Sequence, residues 1–341
     1  MRILPQCLFF LALAFAAGDA RAWSANGHQT VGAIADTLIA GSRAEREVAA
    51  ILGSASGHPL ALKDVSVWAD CARSIQPTQN FAYNPGKFHE EACALFEDAT
   101  GEEEMRAFVR RNNSNCAYAG KTMDCHKSFH FADVDIGHDD YDASYPGTND
   151  HDVVHAIHAM MAMLQDQPVP APFQIGSKKE ALILLSHYVG DLHQPLHVGA
   201  IYLSADGSEV HPASNPPDSA NDTIGGNALH GTGGNLHHQW DTTKFALTDP
   251  AALGQLVAQA QGSGVTPGAF GGWPEIWASD TVAAAKRAFA GIEFDAADGK
   301  GWPITFDDRR SYTQQRMVLQ KTQVIKGGAR LAALLQAIWP D

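Results

Sequence analysis

The sequence predicts an all-α, mostly helical fold. Apolar residues recur at helical spacing through several long segments. Strand signals are sparse, and prolines fall where the helical segments enter or stop. No repeat, low-complexity tract or clear linker divides the chain, and 341 residues suit one large domain or two small ones.

The elements follow in chain order. Residues 1–22 read as a secretory signal: a basic Met1-Arg2 start, an apolar run from Leu8 to Ala17, and Ala20-Arg21-Ala22 as the cleavage pattern. The run is too short for a ~20-residue membrane span, and no later segment is longer and as apolar. The expectation is a secreted or periplasmic domain over 23–341, with no stable membrane association. Residues 28–52 carry Val31, Ile34, Leu38, Val48 and Ile51 at helical spacing. Residues 150–166 form a helix stopped by Pro168 and Pro170. Lys178 to Leu192 is strongly apolar and ends before Pro195. Residues 274–292 begin with Pro at a helix entry and run Ala-rich. Residues 314–338 form the last long helix, with Gly327-Gly328 inside it. Residues 199–235 are long, irregular and rich in Gly, Pro, Ser and Asn. Loops of that length in compact domains are usually functional or flexible.

Charge and cysteine usage narrow the function. The formal net charge is −14, and loss of Arg2, Asp19 and Arg21 with the leader takes it to −15. A protein that grips duplex nucleic acid by neutralising phosphates carries a basic face. No lysine- or arginine-rich block occurs here, so phosphate chemistry would need bound cations. Cys7 leaves with the leader. Cys71, Cys93, Cys116 and Cys125 remain, an even count that suggests two disulfides with three pairings open. Cys116 with Cys125 closes a short polar loop and is the preferred local pair, which leaves Cys71 with Cys93.

Histidine and aspartate spacing carries the chemistry. In the segment from Ser186 to His197, His187 and Asp191 lie four apart on one helix face, about 40° from each other. Pro195 ends that helix and lets His197 turn back. Imidazole, carboxylate and imidazole around one point suit zinc. His193 lies off that face and reads as a structural histidine. Asn235-Leu236-His237-His238-Gln239-Trp240-Asp241 repeats the spacing with His237 and Asp241, while His238 points elsewhere. Asp70 stands three residues before Arg73, as a salt bridge or as a metal ligand beside a phosphate clamp. His130 lies between aromatics on an extended segment that runs on to Asp133. Cleavage after Ala22 would free the Trp23 amine, which with its carbonyl and His28 can bind a metal. His151, His155 and His158 share helical spacing and merit a separate test for a fourth metal.

Taken in order, Trp-x-x-x-x-His, Trp-Ala-Asp-x-x-Arg, His-Phe-x-Asp, His-x-x-x-Asp-x-x-x-x-x-His, Gly-Gly-Asn and Asn-Leu-His-x-x-Trp-Asp resemble the single-strand-specific nucleases typified by nuclease S-one and nuclease P-one. These are relatives of the bacterial zinc-dependent phospholipases C. The resemblance spans the mature chain. It implies a mostly helical single domain holding three Zn²⁺ in a cleft. Asp70, His130, His187 and Asp191 would hold one ion. The Trp23 amine and carbonyl, His28 and Asp191 would hold a second. His197, His237 and Asp241 would hold the third. A water between two close zincs would be the nucleophile, with Asp70 orienting it and Arg73 screening phosphate oxygens. Phe131 would stack a base, Asp133 would bond a base edge, and Asn227 would contact substrate. Stacking suits unpaired strands. The implied substrates are single-stranded DNA and RNA, cut by a monomer to 5′-phosphate products, and 3′-nucleotides.

The chain departs from that pattern between His197 and Gly225, where the Pro-rich stretch looks like an insertion able to reshape the cleft. Two rivals share the zinc ligands. A phospholipase C would carry Glu in place of Asp241 and an aromatic-rich apolar docking loop. A non-enzymatic zinc-binding protein would need neither Arg73 nor Phe131.

Overall fold

The computed structural model describes residues 23–55, 57–86, 89–116 and 124–341. The leader expectation falls on residues 1–22 and lies outside the described residues. Among the described residues thirteen α-helices dominate: α1 (Ala25–Ile39), α2 (Arg43–Leu52), α3 (Leu62–Val65), α4 (Trp68–Ala72), α5 (Ala99–Arg111), α6 (Cys125–Ser128), α7 (Val153–Leu164), α8 (Lys178–Leu192), α9 (Pro195–Val198), α10 (Leu236–Asp241), α11 (Pro250–Gln261), α12 (Trp273–Phe289) and α13 (Arg309–Ile338). The sheets are small. The fold is mostly helical, as the sequence predicts.

Helix α8 is the axis of the core. Every residue from Ala181 to Leu192 is buried, the signature of a helix packed on all sides. Ser177 caps its start by accepting a hydrogen bond from the Glu180 N–H. Helices α7, α1 and α13 pack around it. Each fully buried Leu or Val there contributes on the order of 1.5–3 kcal/mol of hydrophobic stabilisation. Helices α1 and α13 lie unusually close, because a Cβ on Gly328 would stand 2.6 Å from the Ile34 Cβ. The Gly327-Gly328 pair inside α13 is therefore a packing requirement.

Short ladders position the loops. Val134–Asp135 runs parallel to Gly199–Ala200, tying the segment after His130 to the segment after His197. A four-stranded sheet pairs Trp302–Phe306 with Ile292–Phe294 on one side and with Leu229–Gly231 on the other; Leu229–Gly231 in turn pairs with Gly234–Asn235. That last strand delivers Asn235 as the N-cap of α10, accepting from the His238 N–H. The 199–235 region is thus more ordered than its composition suggests, and includes a hairpin of Tyr202–Leu203 with Glu209–Val210. The expected helix over 28–52 is broken into α1 and α2. Gly41 adopts φ +80° and Ser42 caps a new helix through the Glu45 N–H. Both cysteine pairs are disulfides, Cys71–Cys93 and Cys116–Cys125. No helix among the described residues is long and apolar enough to cross a membrane.

Candidate metal centre

Helices α1, α4, α8, α9 and α10 converge on one buried group of imidazoles and carboxylates. His28, His187, Asp191 and His197 are at most 1 % exposed. His130 Nδ1 and His187 Nε2 stand 2.8 and 3.0 Å from Asp191 Oδ2, and 3.1 Å from each other. The other Asp191 oxygen, Oδ1, lies 3.4 Å from His28 Nε2 and 3.8 Å from His197 Nδ1. Asp191 therefore faces different neighbours with its two oxygens. Asp70 Oδ1 is 4.0 Å from His187 Nε2 and 3.6 Å from Arg73 Nη1. A second focus joins His197 Nε2 to His237 Nε2 at 3.1 Å, with Asp241 Oδ2 3.4 Å from His237 Nε2.

Among the described residues four sets of ligand atoms each lie within 4.8 Å of one another: His28–Asp70–His187, His130–His187–Asp191, His197–His237–Asp241, and the more exposed Asp135–Glu209–His211. His187 belongs to two of them, so the first two sets merge.

The backbone sets the ring orientations. Nδ1–H of His187 donates to Ser66 O at 2.7 Å, that of His197 to His130 O at 2.7 Å, and that of His237 to Gly225 O at 2.6 Å. Each carbonyl fixes the tautomer and leaves Nε2 as a lone pair aimed inward. Two such lone pairs, on His197 and His237, then face each other at 3.1 Å. They repel unless a cation stands between them. Neither ring nitrogen of His28 has a hydrogen-bond partner, nor do Oδ1 of Asp70 and Asp191. Orphaned buried donors and acceptors are costly, and a bound cation would satisfy them. A Cβ on Gly190 would meet His28 Nδ1 at 2.7 Å, so glycine is what lets α8 approach that ring.

The charges make the same demand. Burial pushes the Asp241 carboxyl well above the usual carboxylate range, and the Asp70 and Asp191 charges add to this. Burial opposes the charge of Asp191, but His187 and His197 outweigh it and hold the group well below that range. Burial lowers the pKa of His130 to about 4. His187 moves the other way: burial opposes its charge, but Asp191 and Asp70 prevail and raise it. Three carboxylates in one desolvated space suit a set of divalent ions, and mixed His/Asp donors suit zinc.

Trp23 is fully buried between the two foci. Its indole N–H donates to Gly190 O at 2.9 Å, and the Ser24 N–H donates to Asp241 O at 2.8 Å. The start of the described chain is thus pinned to both α8 and α10. Arg73 lies in the same cleft, with Nε buried and unpartnered. Phe131 follows His130 and is partly exposed. Asp133 is buried with φ +52°, near the Gly225 backbone that orients His237. The Asn227 amide is engaged in its own turn: Nδ2 donates to Ile224 O at 2.9 Å, and Oδ1 accepts from Asn235 Nδ2 at 3.4 Å.

His193 is structural, donating from Nδ1 to Val189 O and accepting at Nε2 from Arg330. His155 and His158 pair with Asp152 and Glu275, and no metal-sized set forms around them among the described residues. One functional neighbour was not singled out from sequence. The Gln194 amide donates to Asp241 Oδ1 at 2.8 Å and accepts the Leu196 N–H at Oε1. Its only sequence signal is its place between His193 and Pro195.

The model of the S1/P1 nuclease family matches residues 23–340. Endonuclease 2 of Arabidopsis thaliana is 30% identical over 179 residues, covering 47% of this chain and 52% of that protein. Endonuclease 5 of the same plant is 29% identical over 181 residues, covering 47% and 51%. The chain thus spans about half the length of the curated relatives it matches.

Proposed function

The chain belongs to the S1/P1 nuclease family, and from that premise we propose that it is a secreted trinuclear-zinc phosphodiesterase. It hydrolyses single-stranded DNA and RNA to 5′-phosphate products, and releases inorganic phosphate from 3′-nucleotides. The carrying observation is that backbone carbonyls turn Nε2 of His187, His197 and His237 inward, while Asp191 lies among His28, His130 and His187. The proposed ligand groups are Asp70, His130, His187 and Asp191; Trp23, His28 and Asp191; and His197, His237 and Asp241. When bound, the ions would supply a water acidified toward neutral pH and positive charge against the phosphate oxygens.

The chain's own residues do the rest. Water adds to phosphorus, the bond to the 3′-oxygen breaks, and that oxygen leaves with a proton as the 3′-hydroxyl. Asp70 pins Arg73, whose remaining N–H groups hold a phosphate oxygen. Phe131 stacks a base and Asp133 accepts from a base edge. Asn227 shapes the Gly225-Gly226 turn beside that base.

Purified mature protein is expected to carry close to three zinc ions per chain by elemental analysis and to lose activity to a chelator. An active protein with one zinc or none overturns the trinuclear reading. Acid should release the metal, because ligand imidazoles must be neutral and an ordinary histidine has a pKa of ~6.5. Protons compete more readily at His187, whose pKa is raised, than at His130, whose pKa is about 4. Zinc content should therefore be full above the ordinary histidine range and fall below it.

Base and phosphate recognition separate kinetically. Phe131→Ala should raise KM for nucleotides by an amount worth about 1–3 kcal/mol. Arg73→Ala should mainly lower kcat, because its charge matters most as the phosphate becomes more anionic. Exchanged signatures on the same substrate would show that the two roles are swapped.

A further inference from the structure

Helix α13 is at odds with the acidity of the chain. It carries Arg309, Arg310, Arg316, Lys321, Lys326 and Arg330 and no carboxylate over thirty residues, in a protein of net charge −14. Lys326 and Arg330 pair with Asp280. Among the described residues no carboxylate lies within ion-pair distance of Arg309, Arg310, Arg316 or Lys321, nor of Arg287 at the end of α12. Every other described arginine has one. The nearest acid in sequence, Asp308, is engaged as the N-cap of α13.

The unpaired cations are arranged. Arg310, Gln314, Met317 and Lys321 recur at i, i+4, i+7 and i+11, one stripe along the helix about 16 Å long. Arg310, Gln314 and Met317 are exposed, and Met317 and Val318 are 61% and 64% exposed. The adjoining face of α13 grips α10. Arg316 Nη1 donates to Gln239 O at 2.7 Å, and the buried Gln320 amide donates to Trp240 O at 2.6 Å. The Arg309 guanidinium lies beside Gly233, on the turn that leads into α10. A cationic path with apolar steps therefore starts one helix away from His237 and Asp241.

We infer that this stripe is a track for the phosphodiester backbone of the single strand beyond the cut, an inference that rests on the nuclease reading above. Arg310 and Lys321 hold phosphates, and Met317 and Val318 give the unpaired bases an apolar rest. A nucleotide of one or two units is too short to reach it. The track thus assigns long strands an affinity that short substrates lack.

The test is Arg310→Glu combined with Lys321→Glu, both distant from the metal ligands in sequence. KM is measured on a strand of about 20 nucleotides and on a dinucleotide. The long-strand KM should rise at least about tenfold at low salt, and the dinucleotide KM should not move. The log–log salt dependence of long-strand binding should become shallower by about 1.4, at ~0.7 per lost phosphate contact. Arg310→Gln with Lys321→Gln should give a smaller shift in the same direction. Unchanged long-strand KM, or an equal rise for both substrates in a variant of unaltered melting temperature, overturns the track. So does loss of binding to phosphatidylserine vesicles with long-strand KM intact, which would assign the stripe to a membrane. Binding of a labelled strand to chelator-treated protein gives the same comparison without catalysis. A wild-type protein that cuts no nucleic acid refutes the nuclease reading, whereas a working nuclease with an indifferent stripe refutes only this inference.

Discussion

Asp191→Asn is expected to strip two metal ions from each chain and to lower turnover by more than about 100-fold. Loss of a group that merely orients a ligand costs 10–100-fold in affinity or activity, and Asp191 is placed to be a ligand twice. One oxygen faces His130 and His187 at 2.8 and 3.0 Å, the other faces His28 at 3.4 Å. An amide keeps the shape but removes the charge and one acceptor. Asp241→Asn touches only the focus of His197 and His237, and Gln194 already neutralises part of its need. It should cost one ion and a smaller share of activity. Zinc per chain and kcat, measured side by side, decide the matter; equal losses in the two variants would refute a shared ligand.

Retaining a residue in front of Trp23 is expected to do comparable damage. One extra residue moves the free amine by about 3.5 Å and turns the Trp23 nitrogen into an amide, which has no lone pair for a metal at neutral pH. The indole bond to Gly190 and the Ser24 bond to Asp241 hold Trp23 in place, so the chain cannot slide to compensate. A cytoplasmic form beginning Met-Trp23 should carry fewer zincs and cut single strands poorly. His28→Ala should behave alike, since both changes remove ligands from one ion. Refolding the Met-extended form with its cysteines oxidised removes faulty disulfides as an explanation. Full zinc and full activity in that material would end the idea of an N-terminal ligand.

Much of the centre was legible because its ligands come in local pairs. His187 with Asp191, and His237 with Asp241, sit four apart on helices, and a period of 3.6 puts each pair on one face. Helix α8 was readable to the residue because a strongly apolar segment from Lys178 to Leu192 stops before Pro195. Helices α1 and α2 were merged because hydrophobic spacing continues through the Gly41 turn, and only backbone φ distinguishes the two cases. Gln194 escaped notice because its partner Asp241 is 47 residues away, and nothing local marks such a bond. The carbonyls of Ser66, His130 and Gly225 escaped for a stronger reason: backbone oxygens have no identity in a sequence. Helix α13 was placed from 314, five residues short of its start at Arg309, and its charge asymmetry has meaning only once Asp280 is seen to claim Lys326 and Arg330 while no carboxylate among the described residues pairs with Arg309, Arg310, Arg316 or Lys321.

The disulfide from Cys71 to Cys93 begins one residue past Asp70. Helix α4, which carries Asp70, is five residues long, too short to persist on its own hydrogen bonds. The cross-link is its brace, and a brace of this kind exists only where thiols oxidise. Where thiols stay reduced, Asp70 and Arg73 are left on a short turn without that cross-link, so oxidation and the ordering of this corner of the centre go together.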